Sequence, residues 1–274
     1  TPDEMAAARL AADVNAMLGE GSALVFPYRD FSYRQMEGVS TEYEQARLGV
    51  LSRIAAGEAK LVVASIQAVM SRTIPKQALL DNTFTVRAGD ALPLEELVSR
   101  LIRSGYARRP QVDGVSQFSV RGGILDLYPP HEPSPVRIEY WGDEIDTMSY
   151  FELDSQRRTD PVEQVAVSPA CEVLFPEGEL AKRLSALIEA LGGRKSTEAA
   201  RQALQKDLDQ LEGGVALDSL DKYFPLAYET FDTVADYFDN APVFLSERSD
   251  MREAARGLFW QYSGDVKALF TAGQ

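Results

Sequence analysis

The chain has 274 residues, 45% apolar and 26% charged, enough for two or three small domains each with its own core. One cysteine, Cys171, and one histidine, His131, exclude an internal disulfide framework and a zinc site of nitrogen and sulfur ligands, and a lone thiol fits a reducing compartment. A net charge of −14 argues against tight binding to DNA, where affinity comes from phosphate neutralisation by Lys and Arg, and no apolar run approaches the roughly 20 residues a membrane span needs.

The sequence opens Thr-Pro-Asp with neither an initiator Met nor a signal peptide, which reads as a piece of a larger soluble protein. An amphipathic helix is predicted over 3–18, then a short buried strand in "SALVFPY" (22–28) and an irregular stretch, "RDFSYRQMEGVS". A helix over 41–56 stops at Gly57, and "AKLVVASIQAVMSR" is a buried strand running into another helix. This alternation makes residues 1–82 a partial parallel α/β lobe that lacks its first strand.

The texture changes near Asn82. "TFTV" is a strand, "PLEELVSRLIRSGY" a helix, and "SQFSVRGGILDLYPP", "SPVRIEYWGDEIDTMSYFELD" and "PVEQVAVSP" are alternating strands with tight turns. Residues 83–168 therefore read as an antiparallel α+β module, with nine arginines and no lysine against fourteen acids. From 169 to 274 the chain is mostly helical: helices are expected over 178–191, through "TEAARQALQKDLDQLEGG" and "LDSLDKYF", and over 248–262, with "APVFLSE" as a buried strand. The fold class is α/β, made of a partial parallel α/β lobe, an antiparallel α+β module and a mostly helical α/β domain.

Several apparent motifs dissolve on inspection. "GGRKST" (192–197) lacks the Gly-Lys-Ser/Thr order and the preceding strand of a phosphate loop, and reads as an interhelical turn. Asp143, Glu144, Asp146, Glu152 and Asp154 read as turn and strand charges rather than paired catalytic carboxylates. His131, in "YPPHEPSP", reads as a loop residue, and no G-x-S-x-G accompanies it.

One face carries more information. Val136, Ile138 and Tyr140 alternate with Arg137, Glu139 and Trp141, so a buried Val/Ile/Tyr row puts Trp141 outside beside Arg137. With Val120 also facing the core, Arg121, Arg137 and Trp141 emerge on one surface. Trp and Arg are enriched at binding hot spots, which favours a docking face. The alternative is that the 93–105 helix covers Trp141. Since neither Arg137 nor Trp141 belongs to the core row, alanine at either position is expected to leave the fold intact.

"FSVRGGILDLYP", "VRIEYWGDEID" and "LDSQRR" resemble the second domain of the bacterial excision-repair protein UvrB, and more closely that of the transcription-repair coupling factors. "RLGVLSRIAAGEAKLVVASIQAVM" is similar to the first domain of both, and residues 169–274 match the layout of their domain 1b. UvrB carries a long Tyr-rich hairpin where this chain has only "RDFSYRQMEGVS", which favours the coupling factors. The resemblance implies a protein-docking surface for UvrA on residues 83–168, made by Arg121, Arg137 and Trp141, with Arg108 as a further contact. Trp141 stands where the family commonly has Phe, and Ser119 where UvrB has Arg. It implies no cofactor and no catalysis in these residues. For the full-length protein it implies ATP and Mg, ATP-driven translocation on DNA, RNA polymerase as a second partner, no membrane, and the bacterial cytoplasm. A truncated UvrB, or a small-ligand enzyme using the interlobe cleft, are the alternatives.

Overall fold

A computed structural model describes residues 1–29, 42–192, 197–215, 217 and 220–272. The short stretch expected in place of a hairpin, and most of "GGRKST", lie outside the described residues.

The first lobe begins with helix α1 (Glu4–Leu18), whose N-terminus is capped by the Asp3 carboxylate accepting from Ala6 N at 2.7 Å. Ala7 and Ala11, one turn apart, are small enough to let α1 lie close on strands β1 (Leu24–Phe26) and β2 (Val62–Ala64), which pair in parallel. Between them runs α2 (Glu42–Ala55), and after β2 come the short helices α3 (Ile66–Met70) and α4 (Lys76–Asp81). Phe26, Leu48, Leu51, Ile54, Ile74 and Leu79 form the lobe's core. Burying each such side chain contributes about 1.5–3 kcal/mol.

Strand β3 (Phe84–Arg87) leads into α5 (Leu94–Arg103), which stops where Gly105 takes φ 87. A six-stranded sheet follows in strict chain order: β4 (Ala107–Arg108), β5 (Gln117–Arg121), β6 (Ile124–Leu127), β7 (Val136–Trp141), β8 (Glu144–Phe151) and β9 (Arg158–Pro161). All its pairings are antiparallel except β4 with β5. Strand β10 (Gln164–Val167) returns to pair with β3. One face of the large sheet supplies Phe118, Leu125, Leu127, Val136, Ile138 and Met148 to a core closed by Leu97 and Leu101 of α5.

The remainder is helical, with α6 (Glu179–Leu191), α7 (Glu198–Glu212), the single turn α8 (Phe224–Ala227) and α9 (Arg248–Ala272). Leu180, Leu184, Leu208 and Tyr223 make a small core of their own, whereas Val234 and Tyr237 join the core of the first lobe. The expected strand in "APVFLSE" does not form: residues 241–245 have no regular structure, and Val243, Phe244 and Leu245 are exposed. Pro242 has no N–H to give a sheet, and among the described residues no strand pairs with the run. Helix α9 extends ten residues beyond the expected end at 262.

A buried ionic cluster joins these parts. Arg47, fully buried, pairs with Glu172 (Nε to Oε1, 2.7 Å), which also accepts from Thr73 Oγ1 at 2.7 Å. Arg29 bridges Glu44 at 3.0 Å and Asp221 at 2.6 Å. The cations hold the Glu172 carboxyl below its usual range against the opposing effect of burial, while burial pushes Glu44 up.

Candidate protein-docking face

The sheet has a second face, opposite α5. Two-residue turns set its end: Gly122 (φ 61) joins β5 to β6, and Gly142 (φ 64) joins β7 to β8, conformations that favour glycine. Tyr140 N donates to Gly123 O at 2.8 Å and ties the first turn to β7. The pairing of β7 with β8 slips after Glu139, leaving Asp146 of β8 as the extra residue, so the alternation within β7 is unbroken.

Register assembles a row across four strands on this face: Ser119, Asp126, Arg137 and Ser149 lie side by side. Asp126 is only 1% exposed. It accepts from Arg137 through Nε (2.7 Å to Oδ1) and Nη2 (2.9 Å to Oδ2), and from Arg121 Nη2 (2.8 Å to Oδ2). Arg121 reaches it diagonally, a distance long side chains span. The bond to Asp126 raises the Arg137 pKa above its usual value. Arg137 also donates from Nη1 to Gln156 O at 3.2 Å and lies 4.8 Å above the Phe151 ring.

Phe151 alternates onto this second face and is buried there, outside the main core. Gln156 (φ 57) bridges two loops by donating to Leu153 O and to Val112 O at 3.3 Å. The middle of the face is thus covered, and Arg137, at 13% side-chain exposure, belongs to a small buried layer rather than to a solvated surface. The expectation that its loss would leave the fold intact meets a cost the alternation did not show: alanine there would strip a buried carboxylate of two of its three donors. The sequence reading missed Asp126 altogether.

Trp141 and Arg121 occupy the uncovered end. Trp141 is 82% exposed, which overturns the alternative of burial under the 93–105 helix; that helix packs through Leu97 and Leu101 against the other face. The Arg121 side chain is 49% exposed, with one nitrogen on Asp126. Arg108 does not join them. It is exposed, but it pairs with Phe118, whose ring points into the core, so register sets it on the α5 side. Nearby, Glu139 pairs with Arg158 and accepts from Thr147 Oγ1 at 3.2 Å.

A different cavity, of about 470 Å³, lies between the first lobe and the module, lined by Arg53, Glu58, His131, Glu132 and Tyr150 among others. His131 is more than a loop residue: its Nδ1 meets Ser168 Oγ at 3.2 Å, its carbonyl accepts from Arg53, and burial lowers its pKa to about 4. It is a neutral interlobe contact. Among the described residues no cluster of His, Cys, Asp and Glu has a metal-binding arrangement, and no helix is long and apolar enough to cross a membrane.

Comparison with known proteins covers the segment that carries this face. Residues 84–172 match the family described as the UvrB interaction domain. The chain is 29% identical over 270 residues to the transcription-repair-coupling factor of Bacillus subtilis, covering 96% of this chain and 23% of that protein. It is 30% identical over 277 residues to that of Myxococcus xanthus (94% and 22%) and 29% over 280 residues to that of Mycobacterium bovis (96% and 22%). The chain thus spans a little over a fifth of the length of these curated relatives.

Proposed function

We propose, on the premise that this chain is homologous to a UvrB-like region of the transcription-repair-coupling factors, that it recruits UvrA through the exposed end of its sheet. Trp141 supplies an apolar anchor, Arg121 supplies donors for a carboxylate or carbonyl of the partner, and Arg137 braces the surface from beneath. Binding of RNA polymerase, and translocation on DNA driven by ATP with Mg, would belong to parts of the longer protein outside these residues, acting in the bacterial cytoplasm.

The single observation that carries the reading is Trp141 standing 82% exposed at the end of the sheet where Arg121 is held by Asp126, within the segment that matches the UvrB interaction domain. An exposed indole forgoes hydrophobic stabilisation unless a partner covers it. Sedimentation velocity of the chain mixed with UvrA should show a complex, and Arg121→Glu should abolish it while leaving the free chain's sedimentation unchanged. Co-sedimentation of the Arg121→Glu chain at undiminished affinity would reject the reading.

A further inference from the structure

We infer that Asp126 is a positioning residue of the docking face: it never meets the partner, but fixes the guanidinium of Arg121 so that its remaining nitrogens face outward. The inference rests on the UvrA-docking reading and assigns a role to a residue that reading does not use.

Asp126 lies on the docking side of the sheet and yet is 1% exposed, so no partner can reach its carboxylate. Both oxygens are occupied, Oδ1 by Arg137 Nε and Oδ2 by Arg137 Nη2 and Arg121 Nη2. The two arginines differ in what this leaves over. Arg137 is held by Asp126, by Gln156 O and by its contact with the Phe151 ring, and is nearly covered. Arg121 is held by one nitrogen only, and half of its side chain remains in solvent. A guanidinium has five N–H donors in a rigid plane, so one can be anchored on Asp126 while others face outward.

An unanchored arginine on a sheet surface samples many rotamers, and ordering it on binding weakens affinity by roughly three- to tenfold. Asp126 removes that loss in advance. Its negative charge works the other way, since an acid behind the face opposes attraction of an acidic partner. The two effects give opposite signs for the same substitution, which makes the role testable.

The experiment is a binding cycle with UvrA and the 274-residue chain, using Asp126→Asn, Arg121→Ala and the double variant, each checked by circular dichroism. Positioning predicts that Asp126→Asn weakens UvrA binding about three- to tenfold through faster dissociation, and that most of this loss vanishes in the Arg121→Ala background. A merely structural role would weaken binding equally in both backgrounds, and unchanged or tighter binding by Asp126→Asn would also overturn the inference. Arg121→Lys provides a second route that leaves the buried layer alone. One ammonium cannot serve Asp126 and a partner with the geometry of a guanidinium, so a several-fold loss at unchanged melting temperature is expected, and wild-type binding contradicts the role. If Arg121→Ala and Trp141→Ala both bind UvrA normally, the docking reading itself has failed. If they lose binding while Asp126→Asn does not, only the positioning role has.

Discussion

Arg137 and Asp126 face each other across β6 and β7 and are joined by two parallel bonds, Nε to Oδ1 at 2.7 Å and Nη2 to Oδ2 at 2.9 Å. The pair sits on the side of the sheet away from the main core, roofed by the loops that Gln156 ties together. A fork-on-fork pair in a covered place fixes both side chains and sets the platform from which Arg121 and Trp141 project.

Removing one partner of this pair should be costly. Arg137→Ala leaves the Asp126 carboxylate buried with Arg121 alone, a loss of about 3 kcal/mol by comparison with other broken buried pairs. The melting temperature should fall by roughly 6–12 °C. Trp141→Ala should leave it unchanged, since the indole touches little of the protein. Thermal melts of the two variants side by side check both expectations.

Stability should fall in mild acid because of His131. Burial, with the Arg53 charge, depresses its pKa to about 4, below its ordinary 6.5. Between about pH 6.5 and pH 4 the unfolded chain binds a proton that the native imidazole does not, so folding weakens as pH drops, by about 2–3 kcal/mol in all. Glu132, raised by its own burial, takes up a proton toward the same range and offsets part of this. Urea midpoints at pH 7, 5.5 and 4.5 should decline for the wild type and decline less for His131→Gln.

The contact between the first lobe and the module depends on a missing side chain. A Cβ on Gly49 of α2 would lie 2.6 Å from the carbonyl oxygen of Pro130, and backbone cannot swing away as a side chain would. Gly49→Ala should destabilise the chain by about 1–3 kcal/mol, as overpacking does, despite alanine's better helix propensity. A melting temperature at or above wild type would show that the two parts separate without cost.

Alternation alone made the two faces of β7 legible, because each strand residue's side follows from its parity; Trp141 and Ile138 needed nothing more. Asp126 was invisible for the same reason. A polar residue at an outward position reads as solvated, and its burial comes from loops near 112 and 156 that are remote in sequence from β6. Strands β4 and β9 lack an apolar alternation, being edge strands of exposed residues, so no pattern announced them. "APVFLSE" has the composition of a strand but, among the described residues, no strand to pair with, and strand formation depends on that neighbour. Arg108 shows the limit of counting along the chain: which face it takes is fixed by its pairing with Phe118, not by its own sequence.

The central claim is that the exposed end of this sheet is where UvrA binds, and calorimetric titration of UvrA with the Trp141→Ala chain tests it most directly. Truncating a hot-spot aromatic typically costs about 2 kcal/mol or more, so affinity should fall at least roughly thirtyfold while the melting temperature stays at the wild-type value. Wild-type affinity in a Trp141→Ala chain that remains folded would contradict the account.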